Sequence, residues 1–311
     1  MAGRRFVYGP VASRRLGFSL GVDIIPYKTC TLDCVYCQLG STGKTTARRR
    51  SFVPPAKVLA QVRAAVASGT KIDVITFSGS GEPTLNKDIG RLIRAIKRTT
   101  RIPVAVLTNG TLLTRRDVRR DLAAADIVVP SLDAVPAALF RRVNRPHAGI
   151  ASAGVVDGLA RFRDEFAGEI RLEVMLVKGI NDSPAAIAAL KAAVARIRPD
   201  RIELNTVVRP PAERRAGALG PADLEKVRAA LGPRARIVAP FSRRKPAPAA
   251  GGLERAVLAT VARRPQTAED IAVALGRHRD EVLKTLAALL TRGRARVLVH
   301  GGRTYFAGRG A

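Results

Sequence analysis

Short runs of β-branched and other apolar residues alternate with longer stretches rich in Ala, Leu and Arg between residues 22 and about 208. The short runs have the character of buried strands, and the longer stretches carry apolar residues at helical spacing. The predicted strands are Val22–Pro26, Asp73–Phe77, Val104–Leu107, Ile127–Pro130, Arg171–Val177 and Ile202–Val208. The predicted helices are Pro55–Ala67, Lys87–Lys97, Thr114–Leu122, Ser152–Phe166 and Ser183–Arg196. Such alternation predicts an α/β fold with a parallel sheet covered by helices.

Six strand–helix units are fewer than the eight of a complete TIM barrel, and periodicity does not tell a closed sheet from an open one. We expect a partial (β/α)6 TIM-like barrel. In such folds the chemistry gathers where the loops after the strands converge. Those loops are small or polar here: KTCTLDCVYCQLG (28–40), SGSGEPTLN (78–86), TNGTLL (108–113), SLDA (131–134), KGIND (178–182) and NTVVRPPAE (205–213).

The apolar period stops in the segment PFSRRKPAPAAGG, residues 240–252. We interpret residues 241–252 as a linker between a first domain, 1–240, and a second, 253–311. The second domain holds three helical stretches followed by two strand-like runs around a Gly-Gly turn. They are Leu253–Ala262, a helix capped by Thr267, His278–Arg292, and the two halves of RARVLVHGGRTYFAG. This order predicts a small C-terminal winged helix-turn-helix domain.

The chain is strongly basic, with 54 Lys and Arg against 25 Asp and Glu and a net charge of +29. A basic surface concentrates polyanions, so RNA (tRNA) or DNA is a candidate partner of the basic C-terminal domain. Arginine bias in the genome is an equal alternative, and a docking module or lid is another role for such a domain. The basic candidates are Arg277, His278, Arg279, Lys284, Arg292, Arg294, Arg296 and Arg303.

No apolar run approaches the roughly 20 residues of a membrane helix, and no signal-peptide core follows the basic N-terminus. We therefore expect a cytoplasmic protein without a membrane partner. The three cysteines, Cys30, Cys34 and Cys37, share one loop. An odd, clustered set argues against a disulfide framework.

Three cysteines in C-x3-C-x2-C spacing leave three interpretations: structural zinc, an iron–sulfur cluster, or thiols without a joint role. A closed zinc site needs four protein ligands, and the histidines His147, His278 and His300 are all distant in sequence. A four-iron cluster held by three thiolates instead leaves one iron open, as a catalytic metal requires.

CTLDCVYC resembles the cluster motif of the radical S-adenosylmethionine (radical SAM) superfamily, and SGSGEPTLN resembles its Gly-Gly-Glu segment, with Ser80 in place of the first glycine. More narrowly, YGPVASRRLGFSLGVDIIPYKTCTLDCVYCQLG and NTVVRPPAE resemble an uncharacterised radical SAM group related to the wyosine-synthesis tRNA enzymes. The resemblance implies that residues 1–240 form the catalytic domain. It also implies that Cys30, Cys34 and Cys37 are its catalytic metal ligands and hold a [4Fe–4S] cluster.

The resemblance further implies that S-adenosyl-L-methionine binds the fourth iron and, once an electron donor reduces the cluster, yields a 5′-deoxyadenosyl radical that takes hydrogen from an unknown substrate. The implied cofactor-binding residues are Tyr36 at the adenine, Gly81 and Glu82 at the methionine amino group, Ser131 and Asp133 at the ribose, and Asn109. Core packing, turn formation or helix capping are the alternatives for these positions. Asn205 and Arg209 could face substrate, and Lys178 and Asn181 are weaker candidates.

A rival hypothesis from another class is a non-catalytic iron–sulfur regulator that senses redox state and binds DNA through its winged helix. It differs from the enzyme in one respect that can be measured, because a sensor releases no 5′-deoxyadenosine.

Overall fold

The computed structural model describes residues 5–13, 15–238 and 252–309. The larger unit, here called the barrel, is an eight-stranded sheet in which β1 to β8 follow one another in sequence order. Its strands are β1 (Val7–Ser13), β2 (Gly17–Val22), β3 (Val74–Phe77), β4 (Val104–Thr108), β5 (Ile127–Pro130), β6 (Glu169–Leu176), β7 (Arg201–Thr206) and β8 (Ala235–Ile237). β1 pairs antiparallel with β2, and every later pair is parallel. The predicted α/β class and partial barrel are confirmed.

Helices cover this sheet because each of them has an apolar face. They are α1 (Pro55–Ala67), α2 (Ile89–Thr99), α3 (Arg116–Leu122), α4 (Ala137–Asn144), α5 (Ser152–Glu165), α6 (Pro184–Ile197) and α7 (Pro221–Leu231). In α2, Ile89, Leu92, Ile93 and Ile96 recur at helical spacing and are fully buried. The five predicted helices all form, and α1 has the predicted bounds.

The prediction of a first strand at Val22–Pro26 is wrong, since β2 ends where that run begins. Ile24 and Ile25 are buried, so the run has the apolar character of a strand. Side chains bind its backbone groups instead. Asp23 Oδ1 accepts a hydrogen bond from Ile25 N at 3.4 Å, and Asn86 Nδ2 donates to the Ile24 carbonyl at 2.9 Å.

The sequence prediction omits β1, β8, α4 and α7. β1 contains Gly9 and Pro10, residues disfavoured in strands, and the register with β2 is irregular between Tyr8 and Val11. β8 has three residues and α4 has eight, so neither gives a clear period. β1 and β8 are the two edge strands of the sheet.

The C-terminal unit, residues 252–309, has its own hydrophobic core, which includes Val257, Ile271, Leu286 and Phe306. Its elements are α8 (Leu253–Val261), α9 (Ala268–Leu275), α10 (Arg279–Thr291), β9 (Ala295–His300) and β10 (Arg303–Gly308), with the two strands in an antiparallel hairpin. Thr267 Oγ1 accepts from Asp270 N at 3.1 Å, which confirms the predicted cap.

The winged-helix assignment and the boundaries at 240 and 253 stay predictions, and the predicted linker falls outside the described residues except for Gly252. Among the described residues, no helix combines the length and the apolar character needed to cross a bilayer.

Candidate active site

A cavity of about 330 Å³ opens at the carboxyl edge of the parallel strands. Its wall includes residues that end or follow successive strands: Cys37 after β2, Ser78 and Gly81 after β3, Leu107 on β4, Ser131 after β5, Met175 on β6, and Asn205 and Arg209 on and after β7. The ends of β2 to β7, or the loops that follow them, therefore converge on one cavity, although the loops 108–113 and 178–182 contribute no residue to its wall.

The cysteine loop, residues 28–40, is held on one side by the loop after β3. Lys28 N donates to the Ser80 carbonyl at 2.6 Å, and Glu82 N donates to the Thr29 carbonyl at 2.9 Å. A Cβ added at Gly81 would lie 2.1 Å from the Thr29 carbonyl oxygen, so this approach requires glycine. The two motifs singled out in the sequence are thus joined backbone to backbone.

The end of α4 holds the other side of the cysteine loop. Val35 N donates to the Val143 carbonyl at 3.0 Å, and Asp33 N donates to the Asn144 carbonyl at the same distance. Glu213 N, beyond β7, donates to the Val35 carbonyl at 2.9 Å. Contacts from three separate segments fix the conformation of this loop.

Each cysteine sulfur faces a nitrogen donor from elsewhere in the site. The pairs are Asn109 Nδ2 with Cys30 Sγ at 3.5 Å, Asn144 Nδ2 with Cys34 Sγ at 3.4 Å, and Lys28 Nζ with Cys37 Sγ at 3.3 Å. Donors of this kind stabilise charge on thiolate sulfur and orient metal ligands. None of the three cysteines is in a disulfide.

Burial raises the pKa of Cys30 to about 12, with a further contribution from the Glu82 carboxylate. Burial also raises the pKa of Cys34 well above its ordinary value, and the charge of Asp133 adds to this. Each of these two pKa values is raised further by the neighbouring cysteines, so the three thiols interact. A bound metal would supply the positive charge that makes thiolates stable here.

The thiol set fits a cluster better than a single ion. Among the described residues, no three His, Cys, Asp or Glu side chains are arranged to hold one metal ion. A zinc ion needs its four ligands around one centre, whereas a cluster takes each thiolate on a separate iron. His278 caps α10, and His300 contacts the Val207 carbonyl. Two of the three histidines considered for zinc are therefore engaged elsewhere.

The Glu82 carboxylate is buried behind the cavity wall. Its Oε1 accepts from Thr84 N at 3.0 Å and from Thr108 Oγ1 at 2.6 Å, and its Oε2 accepts from Asn109 N at 2.7 Å. Burial raises the pKa of Glu82, while these hydrogen bonds oppose the rise. The side chain therefore ties the loop after β3 to the end of β4 and sets the position of Asn109 beside Cys30.

Asp133 occupies a similar buried position on the other side of the cysteine loop. Its Oδ1 accepts from Met175 N at 2.9 Å, and its Oδ2 accepts from Asn144 Nδ2 at 2.6 Å and from the Tyr36 hydroxyl. Burial raises the pKa of Asp133 to about 6, against the effect of the Tyr36 and Asn144 hydrogen bonds. The Tyr36 ring is thereby fixed in the cavity wall.

The C-terminal unit supplies a further part of the wall. Thr260, Arg263, Arg264 and Gln266 line the cavity, as do Tyr8 and Arg15 from the N-terminal hairpin of β1 and β2. The hairpin of β9 and β10 contacts the loop after β7, where the Tyr305 hydroxyl donates to the Val208 carbonyl at 2.6 Å. The cavity is therefore built by both units of the chain.

Residues 24–190, more than half of the chain, match the Radical SAM superfamily. The chain belongs to the radical SAM superfamily. Members of this superfamily are generally enzymes, and membership implies a [4Fe–4S] cluster and S-adenosylmethionine. The resemblance carried by CTLDCVYC is thereby confirmed at the level of the superfamily.

Curated relatives of this radical SAM protein include a Brachyspira hyodysenteriae protein named GTPase Obg, 38% identical over 303 residues, which are 96% of this chain and 45% of that protein. The chain thus spans less than half the length of this relative. The UPF0026 protein slr1464 of Synechocystis sp. is 40% identical over 205 residues, 66% of this chain and 76% of that protein.

Among solved structures, Streptococcus suis SuiB bound to precursor peptide SuiA superposes with a TM-score of 0.52 and 20% identity, covering 69% of this chain and 46% of that one. The likeness shows the fold, a radical SAM partial barrel.

The structure places the implied cofactor-binding residues of this radical SAM protein in two layers. Tyr36, Gly81 and Ser131 line the cavity beside Cys37, whereas Glu82, Asn109 and Asp133 lie behind it and hold the first layer. The two substrate candidates also reach the cavity, with Asn205 donating to Glu173 Oε1 at 3.1 Å. Their contacts with a cofactor stay predictions.

The two weaker candidates lie elsewhere. Asn181 Nδ2 donates to the carbonyls of Asp133 and Met175, both at 2.8 Å, so this side chain is used within its loop. Lys178 is exposed. The sequence interpretation also missed the cavity residues of β1 and of the C-terminal unit. The paired Arg263-Arg264 is the visible signal, but arginine is too common in this chain to mark a site.

Proposed function

We propose that this radical SAM protein is an enzyme in which Cys30, Cys34 and Cys37 hold a [4Fe–4S] cluster whose fourth iron binds S-adenosylmethionine. Held by these three thiolates and reduced by an electron donor, the cluster would supply the electron for cleavage of S-adenosylmethionine to methionine and a 5′-deoxyadenosyl radical, the species that would take hydrogen from substrate.

The chain's own residues position and enclose these groups. Asn109, Asn144 and Lys28 direct N–H groups at the three sulfurs, and Tyr36 and Ser131 form cavity wall for the nucleoside. Gly81, the residue implied at the methionine end, lines the cavity and packs closely against the Thr29 carbonyl. The C-terminal unit covers part of the cavity and so restricts the access of solvent to the site.

One observation carries this proposal: three thiols, each facing a nitrogen donor, lie on one loop, and that loop lines the strand-end cavity through Cys37. The test is anaerobic reconstitution with iron and sulfide, reduction with dithionite, and quantification of 5′-deoxyadenosine after S-adenosylmethionine is added. The parent is expected to form it, and Cys37→Ala to lose it. Ser41→Ala, at an exposed position just beyond the cysteine loop, is the matched control.

No 5′-deoxyadenosine from cluster-loaded parent, or equal amounts from parent and Cys37→Ala, would contradict the proposal. A DNA-binding redox sensor is expected to give the first of these results.

As its substrate we propose RNA, tRNA in particular, because the chain carries a net charge of +29 and resembles the group related to wyosine synthesis. Arg277 and Lys284 of the C-terminal unit are exposed and so are accessible to phosphates. Bulk tRNA is expected to bind with a strong salt dependence, and the double variant Arg277→Gln/Lys284→Gln to bind less. Equal binding by the variant would contradict this contact.

A further inference from the structure

The loop between α8 and α9, residues 262–267, brings two consecutive arginines to the cavity wall. Backbone hydrogen bonds hold it in place: Gln266 N donates to the Phe306 carbonyl at 3.0 Å, and Phe306 N donates to the Gln266 carbonyl at 2.8 Å. Arg263 Nη1 donates to the Ala259 carbonyl at 2.8 Å. The loop is thus anchored to both α8 and the hairpin and presents its side chains in a fixed position.

Arginines outnumber carboxylates along the cavity wall. The described residues that line it include four arginines, at 15, 209, 263 and 264, and one carboxylate, Glu173. Arg15 Nη1 lies 2.6 Å from Glu173 Oε2, and its Nε lies 3.6 Å from Glu203 Oε2. Arg263 lies over the Tyr8 ring with its Nε 4.0 Å from Asp23 Oδ2. Arg15 and Arg263 therefore each have a carboxylate within ion-pair distance.

Arg264 is different. It is half-buried, and among the described residues no carboxylate lies within ion-pair distance of its guanidinium. Burial lowers the pKa of Arg264, and the nearby charge of Arg15 lowers it further, against the effects of Tyr8 and Asp270. A guanidinium held in a partly desolvated wall without a carboxylate favours an anion in the adjacent space.

Arg209 lines the same cavity from the loop after β7. That loop is tied to the C-terminal unit, since His300 Nε2 lies 3.1 Å from the Val207 carbonyl oxygen and Tyr305 binds the next carbonyl. Arg209 from the barrel and Arg264 from the C-terminal unit therefore belong to one wall that crosses the junction between the units.

S-adenosylmethionine carries one carboxylate against its sulfonium, so its binding adds no net negative charge beside Arg264.

We infer that the cavity takes a substrate group that carries an oxyanion, a phosphate or a carboxylate, held by Arg209 and Arg264 across the junction of the two units. Planar guanidinium groups bind such oxyanions in bidentate fashion, which fixes orientation as well as charge. The inference rests on the proposed function, because the group held there is the part of the substrate that lies near the radical.

The test is isothermal titration calorimetry of reconstituted, unreduced protein saturated with S-adenosylmethionine, with pyrophosphate and succinate as separate probes. At least one probe is expected to bind, and Arg264→Gln and Arg209→Gln are each expected to weaken that binding about tenfold or more. Arg264→Lys keeps the charge and is expected to weaken it less. Arg255→Gln, at an exposed arginine of α8, is the matched control and should bind as the parent does.

Preference for pyrophosphate identifies the group as phosphate, and preference for succinate identifies it as carboxylate. The inference is overturned if neither probe binds the parent, or if folded Arg264→Gln and Arg209→Gln bind the probes as tightly as Arg255→Gln does. It is also overturned if the two variants weaken S-adenosylmethionine binding alone, since the arginines would then serve the cofactor. A parent that binds a probe through Arg264 but forms no 5′-deoxyadenosine on reduction would contradict the proposed function and leave the anion site standing.

Discussion

The guanidinium carbon of Arg263 lies 4.1 Å from the centroid of the Tyr8 ring and joins the C-terminal unit to the first strand of the barrel. The ring lies flat over β2, where a Cβ at Gly21 would come within 2.1 Å of Tyr8 Cζ. The Tyr8 hydroxyl lies 2.9 Å from Ser78 Oγ, in the loop that follows β3. The contact between Arg263 and Tyr8 therefore links the C-terminal unit to the wall of the cavity.

A double-mutant cycle on Tyr8→Leu and Arg263→Met is expected to give a coupling of about 0.5–2 kcal/mol in the free energy of unfolding. Either substitution alone removes the partly desolvated cation–π contact, so the double variant loses less than the sum of the two single variants. Chemical denaturation of the four proteins measures it. Tyr8→Phe keeps the ring and should preserve the coupling with Arg263. Additive effects of Tyr8→Leu and Arg263→Met would contradict the contact's energetic role.

Glu82→Gln is expected to destabilise the fold by about 1–3 kcal/mol, because the buried carboxylate accepts four hydrogen bonds and an amide nitrogen would face a donor instead. Denaturant unfolding compares it with Glu225→Gln, a carboxylate on the exposed face of α7 whose loss should have little effect. An unchanged free energy of unfolding in Glu82→Gln would contradict this expectation, because it would show that the four hydrogen bonds do not require a carboxylate.

Lys28→Met is expected to lower the reduction potential of the bound cluster. It removes both a positive charge and an N–H donor 3.3 Å from Cys37 Sγ, and both favour the reduced state. Redox titration followed by optical absorbance measures the shift. Lys44→Met, at an exposed lysine beyond the cysteine loop, should leave the potential unchanged. Equal shifts in the two variants would rule out a specific role for Lys28.

Burial raises the pKa of Glu203 to about 7, against the effect of Arg15 and with a contribution from Glu173, while Arg171 and Arg201 also face it. Between its ordinary value of 4.5 and this value, the folded protein binds more protons than the unfolded chain. The free energy of unfolding therefore falls as pH rises through that window.

Glu203→Gln lacks the titrating carboxyl, so its free energy of unfolding does not fall in this window. The free energy of unfolding of Glu203→Gln minus that of the parent is therefore expected to be about 1–3 kcal/mol greater at pH 8 than at pH 5.5. Denaturant unfolding of both proteins at the two pH values measures the difference. A difference that does not change with pH would contradict the raised pKa.

Periodicity was enough to predict the interior of the barrel, because β3, β4, β5 and β7 are nearly continuous buried runs, β6 alternates buried with half-buried residues, and α2 has a full apolar face. It failed at Ile24 and Ile25, where side chains of Asp23 and Asn86 occupy the backbone groups that a strand would pair. Local composition does not reveal a competition that depends on a residue about sixty positions away.

The candidate site, too, was predicted from the sequence only in part. Cys30, Cys34 and Cys37 were visible because their spacing is local, and the loops after the strands could be placed by topology. Arg263 and Arg264 could not, because their contribution to the cavity depends on how the C-terminal unit packs against β1. Such packing between units leaves no periodic signal in the sequence.

In the proposed enzyme the polypeptide leaves one iron of its cluster open for S-adenosylmethionine. Electron paramagnetic resonance of the reduced, reconstituted protein, recorded before and after S-adenosylmethionine is added, tests it most directly. We predict a [4Fe–4S] signal that changes on addition of the cofactor, because the cofactor becomes a ligand of the open iron. A [4Fe–4S] signal that stays the same at saturating S-adenosylmethionine would contradict the account.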